Sequence, residues 1–311
     1  MFILKYKKIF LSISAALVAV SLIFIFTFGI TVGLDFRGGT LMEVAYNTSE
    51  RPSQELLNPK LESLDLGNVL LQPTGEKGYI IKTRSLTSEE HQKVLEILSG
   101  GEDNPVTEVS YNSVGPAVGR ELTRKAIVSM VLVSLTIICF IAFAFRKVSK
   151  SSTTAANHGV PSWKYGIISI ITLLHDVIIP TGIFALLSQY RGAELDTLFV
   201  VAVLTILGLS LSDTIVIFDR VRENIRKNNE ENTKLGFKEI VGKSLEQSFM
   251  RSLATSLAVT LVLLVIWLTG PVSTRYFALM LTAGMFFGTY SSLFLASPML
   301  VLAEEWQGKK S

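Results

Sequence analysis

Six long apolar runs constrain the fold of this chain more than any other feature of its sequence. A helix of about 20 apolar residues crosses the roughly 30 Å hydrocarbon core of a bilayer. Of all residues, 49% are hydrophobic and only 18% are charged, which excludes an ordinary soluble domain of this length. The six runs are Ile9–Val32, Ala126–Phe145, Tyr165–Leu187, Thr197–Phe218, Leu253–Thr269 and Tyr276–Leu302. The sequence therefore predicts a mainly α membrane protein with six transmembrane helices.

The first apolar run has two interpretations, a cleaved signal peptide or a retained span. Lys5, Lys7 and Lys8 precede it, as in a signal peptide. However, the run is longer than a typical signal core, and no small-residue cleavage site follows it. We therefore interpret it as a retained transmembrane helix.

The distribution of Lys and Arg over the short loops predicts the orientation of the spans. These residues concentrate in the two terminal segments, in residues 146–164 and in residues 219–251. The two short loops on the opposite side contain only Arg191 and Arg275. We therefore expect both termini in the cytoplasm and the long segment 33–125 outside it.

The long segment between the first two spans predicts a small folded domain. Its elements are a strand over Thr40–Tyr46, a helix over Ser53–Leu64, strands over Asn68–Gln72 and Tyr79–Arg84, a helix over Ser88–Leu98 and a strand over Val106–Tyr111. This β-α-β-β-α-β order is typical of a ferredoxin-like α+β unit. The chain thus divides into residues 1–33, with the cytoplasmic amino terminus and first helix, an extracytoplasmic domain at 34–124, and helices two to six with cytoplasmic loops and tail at 125–311.

Two glycine-bearing segments flank this domain. The first contains Gly33, Gly38 and Gly39 directly after the first span, and the second contains Gly115 and Gly119 directly before the second span. Neither has the Lys-Ser/Thr pattern of a phosphate-binding loop. Two interpretations remain open: hinge-capable junctions where the chain leaves and re-enters the membrane, or rigid structural turns.

Ionisable residues inside the apolar runs are the main functional signal. A charge near the bilayer centre costs about 2.5–3.5 kcal/mol by insertion scales, so it requires a partner or a function. His175 and Asp176 lie in the middle of the third run. Being adjacent, they are expected to point to different helix faces, which gives no convincing metal spacing. A buried polar network is the alternative to a function for this pair.

Asp213 lies in the fourth run and Arg251 at the start of the fifth. Spans four and five run in opposite directions, so the two residues are expected at similar depths, paired directly or bridged by water. Gln247, Arg251 and Thr255 form a polar stripe at four-residue spacing. The alternative for Arg251 is snorkelling to the headgroups, and for Asp213 a structural contact between helices.

The remaining features predict packing or exclude function classes. Gly284 and Gly288 in the sixth run stand at GxxxG spacing, which predicts close helix packing. Cys139 is the only cysteine, so no disulfide forms within one chain. The net charge of +3 is too small to indicate nucleic acid. No catalytic constellation and no metal site are predicted.

Several segments together resemble the SecF branch of the SecD/SecF family. They are Gly33–Thr40, Val114–Leu122, Leu174–Val177, Ser210–Asn224 and Gly288–Pro298. The resemblance covers both glycine junctions and all six spans in order.

The resemblance implies a subunit of bacterial protein export, without enzymatic activity and without a cofactor other than the proton gradient. It implies pairing with SecD in an assembly of the RND (resistance-nodulation-division) type in the cytoplasmic membrane. It further implies work with the SecYEG channel and its associated insertase on unfolded secretory chains. The family's intramembrane aspartate corresponds to Asp213 and its arginine to Arg251, and we group His175 and Asp176 with them as proton-coupling candidates. The sequence around Arg251 departs from the family's usual pattern.

Two other functions are compatible with the sequence. One is an RND-type exporter of small amphipathic molecules, for which the domain leaves little room. The other is a purely structural subunit that stabilises the translocon without using the gradient.

Overall fold

The computed structural model describes residues 2–47, 51–67, 69–100, 105–145, 160–233, 235–270 and 272–308. The chain divides into two compact units. Residues 1–31 and 129–311 form a helical bundle, and residues 32–128 form a unit that we call the sheet domain.

Six helices in the described residues are long and apolar enough to span a membrane, which confirms the predicted architecture. Spans one to five are the helices Lys7–Phe28, Pro116–Phe145, Ser162–Arg191, Thr197–Glu230 and Phe237–Thr269. Span six comprises the helix Val272–Ser291, the π-helical segment Ser292–Ala296 and the helix Ser297–Gly308. A helical turn, Phe2–Lys5, precedes span one.

The observed helices extend beyond the apolar runs. Span two begins at Pro116 and span five at Phe237, earlier than the apolar runs at Ala126 and Leu253. Span four continues through its charge-rich end to Glu230. An apolar run marks only the part that crosses hydrocarbon, whereas backbone hydrogen bonds continue the helix into polar surroundings.

Spans three, four and six form the buried centre of the bundle, and span two exposes nearly all of its side chains. Small residues permit close contacts between the helices. A Cβ atom on Gly182 of span three would lie 2.6 Å from Cα of Ser21 in span one. Lys7 of span one pairs with Glu305 of span six, so the two ends of the described chain lie at the same end of the bundle.

The sheet domain contains the predicted β-α-β-β-α-β order and is ferredoxin-like, as predicted. Its strands are β1 (Gly39–Tyr46), β2 (Leu70–Thr74), β3 (Gly78–Thr83) and β4 (Val106–Val114). The spatial order is β2-β3-β1-β4 with all neighbours antiparallel. Three helices connect the strands or precede them: α1 (Leu34–Arg37), α2 (Gln54–Glu62) and α3 (Ser88–Ser99).

Local sequence explains the main features of the sheet domain. Thr87 caps α3, and Glu90 closes a capping box. The β2–β3 turn lies at residues 75–77. The predicted strand Asn68–Gln72 ends too early, because Pro73 and Thr74 still pair with β3. One apolar cluster forms the core: Met42, Val44, Tyr46, Leu57, Leu61, Leu66, Leu71, Tyr79, Ile81, Val94 and Leu98.

Candidate functional site

Asp176 occupies the centre of the bundle with 0% of its surface exposed. His175 is 3% exposed, and its Nδ1 lies 2.8 Å from Asp176 Oδ1. Adjacent positions on the helix therefore do not keep these two side chains apart. Although adjacent side chains leave a helix about 100° apart, the imidazole Nδ1 lies close to the backbone and within reach of the next carboxylate.

Asp176 also joins span three to two other spans. The Ser210 hydroxyl on span four and the Ser291 hydroxyl on span six both donate to Asp176 Oδ2, the latter at 2.7 Å. An ionised carboxylate is an acceptor with two oxygens, and here each oxygen has at least one donor. The bundle thus stabilises a carboxylate at a depth where an unpaired charge is expensive.

The Asp176 contact determines where His175 carries its hydrogen. An ionised carboxylate only accepts, so with Asp176 ionised Nδ1 is the protonated nitrogen. In the part of the chain that the structure describes, Nε2 of His175 is buried and has no hydrogen-bond partner. A buried polar atom without a partner costs about 1–3 kcal/mol. His175 is therefore held in one tautomer with an unsatisfied acceptor.

The predicted glycine pair lies at the interface between spans four and six. A Cβ atom on Gly284 would lie 2.3 Å from Ile206, and one on Gly288 would lie 3.3 Å from Cβ of Ser210. The π-helical segment begins directly after Ser291. Such segments shift the register of the following helix and occur frequently at functional sites. The close approach at Gly288 lies one turn before Ser291, which donates to Asp176.

Asp213 lies on span four, one turn beyond Ser210, and is half-buried. The Ser256 hydroxyl on span five forms a hydrogen bond with the Asp213 carboxyl group. The Arg251 guanidinium, also on span five, attracts this group electrostatically, and Asp176 repels it. Among the described residues, no ion pair joins Asp213 to Arg251. The structure therefore brings the two predicted residues into one electrostatic neighbourhood without direct contact.

Arg251 is exposed and lines a polar cleft of about 110 Å³ at the end of the bundle that carries both termini. The cleft is lined by Val216, Asp219, Arg220, Glu223, Gln247, Ser248 and Arg251. Asn224 of span four donates to Ser244 Oγ at 2.8 Å and to Gln247 Oε1 at 2.9 Å, which holds spans four and five together here. This volume accommodates several water molecules.

The predicted polar stripe on span five lies beside a buried one. Gln247, Arg251 and Thr255 are exposed, whereas four serines one position further round the helix are buried. These are Ser244, Ser248, Ser252 and Ser256. Their four-residue spacing was visible in the sequence, but small hydroxyl side chains carry no charge and gave no separate signal there. Ser291 escaped prediction for the same reason.

The glycine junctions of the sheet domain pack against each other. A Cβ atom on Gly39 would lie 2.7 Å from the Thr83 carbonyl oxygen, and one on Gly38 would lie 3.1 Å from Cα of Pro116. A Cβ atom on Gly119 would lie 3.0 Å from both Gly38 N and the Phe36 carbonyl oxygen.

Gly115 is less confined than these three junction glycines. A Cβ atom on Gly115 would meet nothing within 4 Å, and Gly33 is the N-cap of α1. Steric contact thus requires glycine at Gly38, Gly39 and Gly119, which favours a rigid clasp over free hinges.

Within the described residues, no group of three His, Cys, Asp or Glu side chains is arranged to hold a metal ion. Cys139 is exposed on span two. The chemistry available around Asp176 and Asp213 is that of two carboxyl groups, serine hydroxyls, the His175 imidazole and the Arg251 guanidinium, which together can hold and move protons.

Comparison with protein families gives two matches. Residues 95–160 and 161–306 match the family described as protein export membrane protein SecD/SecF, C-terminal. Residues 23–50, which include Gly38 and Gly39, match the SecD/SecF GG motif.

Similar proteins are found among curated sequences and solved structures. The protein translocase subunit SecF of Thermobaculum terrenum is 37% identical over 99% of this chain and 94% of its own length. The SecF subunit of Anaerolinea thermophila is 31% identical over 98% and 95%, respectively.

The crystal structure of SecDF from Thermus thermophilus, a translocon-associated membrane protein, has a TM-score of 0.76 and 28% identity over 98% of this chain. The chain spans only 38% of that larger protein. With these family matches and near-full-length relatives, the chain belongs to the SecF family of protein translocase subunits.

Proposed function

We propose that this chain assists protein export across a bacterial cytoplasmic membrane, with both termini in the cytoplasm and the sheet domain outside. It works with a SecD partner beside the SecYEG channel and its associated insertase, and acts on unfolded secretory chains. The proton gradient supplies the energy. Asp213 carries the proton, and Arg251, His175 and Asp176 complete the proton-coupling set.

One observation carries this proposal: the bundle places ionisable side chains on membrane-spanning helices and leaves some of them uncovered. Arg251 is exposed and Asp213 is half-buried on the surface of the isolated bundle. Charges facing lipid are expensive, so intramembrane charges normally face a protein interior or a water-filled cavity. A second membrane protein that covers this face would place both residues at a subunit interface.

The length comparison supports the same arrangement. The SecDF chain from Thermus thermophilus is much longer, and this chain corresponds to 38% of it. Span two buries almost none of its side chains within the bundle, so its apolar surface is free for lipid or for a partner helix. SecD supplies the rest of such an assembly.

The polar cleft supplies a route for protons between the cytoplasm and Asp213. It opens between spans four and five and reaches Arg251, which interacts electrostatically with the Asp213 carboxyl group. When a proton neutralises Asp213, Arg251 loses a counter-charge and the two helices change their preferred separation. One charge crossing a 100 mV potential supplies about 2.3 kcal/mol, enough to bias a two-state movement.

The test is Asp213→Asn in the complete complex. Asparagine preserves the shape of the side chain and its hydrogen bonding but cannot cycle a charge. We expect normal expression and assembly and loss of the gradient-dependent part of export, measured in membrane vesicles with and without an imposed proton gradient. The matched control is Asp196→Asn on the same helix, where Asp196 caps the helix through the Phe199 amide and asparagine caps equally well.

The two alternatives give different results in this assay. A purely structural subunit predicts that Asp213→Asn vesicles respond to the gradient as the unaltered protein does. An exporter of small amphipathic molecules predicts gradient-dependent dye accumulation without any effect on secretory chains. Either outcome would replace proton-coupled export as the function of this chain.

A further inference from the structure

We infer that His175 is a second proton-binding residue of the bundle, that Nε2 is the atom which accepts the proton, and that Asp176 is its positioning residue. The link from this proton to export rests on the proposed function. The binding of the proton itself does not, since it follows from the geometry of the pair.

The first step is the fixed tautomer. Nδ1 of His175 lies 2.8 Å from the Asp176 carboxylate, which accepts its hydrogen. Neutral imidazole carries one hydrogen, so Nε2 holds the lone pair. Nε2 is buried without a hydrogen-bond partner among the described residues. A basic nitrogen is thus held in a protected position with its lone pair unused.

The second step concerns the charges that face the ring. Asp176 is adjacent on span three, and Asp213 on span four interacts electrostatically with Asp176. From span six, the Tyr290 ring lies nearly parallel to the imidazole, with 6.1 Å between centroids. The Tyr290 hydroxyl donates to the Phe10 carbonyl oxygen at 3.2 Å. Span one contains no ionisable residue after Lys8, so the ionisable groups that face this ring are the two carboxyl groups and the Tyr290 hydroxyl.

The third step connects the proton to helix movement. Uptake forms one N–H bond at Nε2 and turns a neutral ring beside a carboxylate into an ion pair, and release reverses this step. The imidazolium draws the Asp176 charge toward itself and away from the hydroxyls of Ser210 and Ser291. Those hydroxyls hold spans four and six to span three. Because Ser210 is one turn from Asp213 on the same helix, the two proton sites share one movable element.

The direct test is nitrogen NMR of the ring in the full chain with its SecD partner, in lipid nanodiscs. The chain has three histidines. Replacing His91 and His158 by asparagine leaves His175 as the only labelled ring, and His158 lies outside the described residues. We expect only Nδ1 to be protonated at high pH, and Nε2 to gain a proton as the pH is lowered step by step. A ring that stays neutral throughout, or that carries its hydrogen on Nε2 at high pH, overturns the proposal.

The positioning role of Asp176 has its own signature. An asparagine amide offers both a donor and an acceptor, so Asp176→Asn should replace the single tautomer by a mixture of both. A single Nδ1–H tautomer in this variant would show that Asp176 does not determine the ring state.

A functional arm separates this proposal from the function proposed above. His175→Asn keeps a side-chain N–H close to the position of Nδ1 and removes Nε2. We expect the gradient-dependent part of export to lose the pH dependence that the unaltered protein shows over the range in which its His175 ring gains the proton. His91→Asn is the matched control, because His91 also bonds a carboxylate but lies in the sheet domain.

The NMR experiment and the export assay can contradict their respective proposals independently of each other. If the ring titrates but export ignores the gradient, the proposed function fails and the proton site stands. If export follows the gradient while the ring never titrates, His175 is a structural residue.

Discussion

Each unit of this protein contains a histidine bonded to a carboxylate, and the two pairs differ in their surroundings. In the sheet domain, Nε2 of His91 lies 2.7 Å from Glu108, and both side chains are partly exposed. In the bundle, His175 and Asp176 make a contact of similar length but are almost completely buried. Water solvates the first pair, so its contribution to folding is small. The second pair depends on neighbouring hydroxyl groups for its solvation.

The same contrast holds for the interiors of the two units. The core of the sheet domain is an apolar cluster, with charged side chains paired at its surface. The centre of the bundle contains serines, threonines, a histidine and an aspartate that bond one another between spans. Lipid is as apolar as the side chains it surrounds, so burying apolar side chains contributes little to the association of the spans. Close packing and polar contacts determine which helix faces meet.

If this contrast is correct, the largest loss of stability should come from a cavity in the apolar core of the sheet domain. Leu61 in α2 is 0% exposed, so Leu61→Ala should destabilise the domain by about 2–5 kcal/mol. Amide hydrogen exchange of β1 and β3 in the full chain, in detergent and increasing urea, measures this loss. Leu56 lies on the same helix and is 63% exposed, so Leu56→Ala should change stability by no more than about 0.5 kcal/mol. Equal exchange in the two variants would mean that the domain lacks the apolar core described here.

The elements could be predicted because each carries its own periodic signal. Hydropathy determines the spans, and the capping box at Thr87 and Glu90 marks the start of α3. The contacts around Asp176 could not be predicted in this way. Ser210 and Ser291 carry no charge, and they contact Asp176 where Gly288 allows spans four and six to approach closely.

The paired glycine motifs illustrate the same limit. Their sequence suggested hinges or rigid turns with equal justification, since glycine suits both. Only the distance from Gly119 to the backbone of Gly38 shows that the two motifs touch. Contacts between segments distant in sequence depend on the whole fold, and local sequence does not encode them.

The next largest effect on stability is expected from steric crowding in the bundle. Gly284→Ala places a Cβ atom within 2.3 Å of Ile206, which is 1% exposed and has little room to move. Overpacking of this kind costs about 1–3 kcal/mol. Gly208→Ala on span four meets nothing within 4 Å and should be neutral or slightly stabilising.

Unfolding in detergent, followed by tryptophan fluorescence, reports this effect on the bundle alone. Trp163, Trp267 and Trp306 are the only tryptophans, and all three lie in the spans. If Gly284→Ala unfolds at the same detergent or temperature midpoint as Gly208→Ala, spans four and six do not pack as closely as described. The contact of Ser291 with Asp176 would then be in doubt as well.

The smallest effect concerns a solvent-accessible ion pair of the sheet domain. Both guanidinium nitrogens of Arg84 donate to the Glu90 carboxylate, and the Thr87 amide donates to it at 2.9 Å. The Arg84 hydrogen bonds, followed by the Thr87 amide, lower the pKa of Glu90 from 4.5 to about 2. Because the folded pKa is the lower one, the pair stabilises the domain fully above the unfolded value and loses this contribution as pH falls toward 2.

Glu90→Gln preserves the capping box but removes the charge, so it should flatten the pH dependence of domain stability between about pH 4.5 and pH 2. Glu89→Gln, one residue earlier and exposed, is the control and should retain that dependence. Hydrogen exchange of β1 and β3 across this pH range measures both variants. An unchanged acid response in Glu90→Gln would assign the acid sensitivity of the domain to other carboxylates and leave its surface pairs without a measurable role.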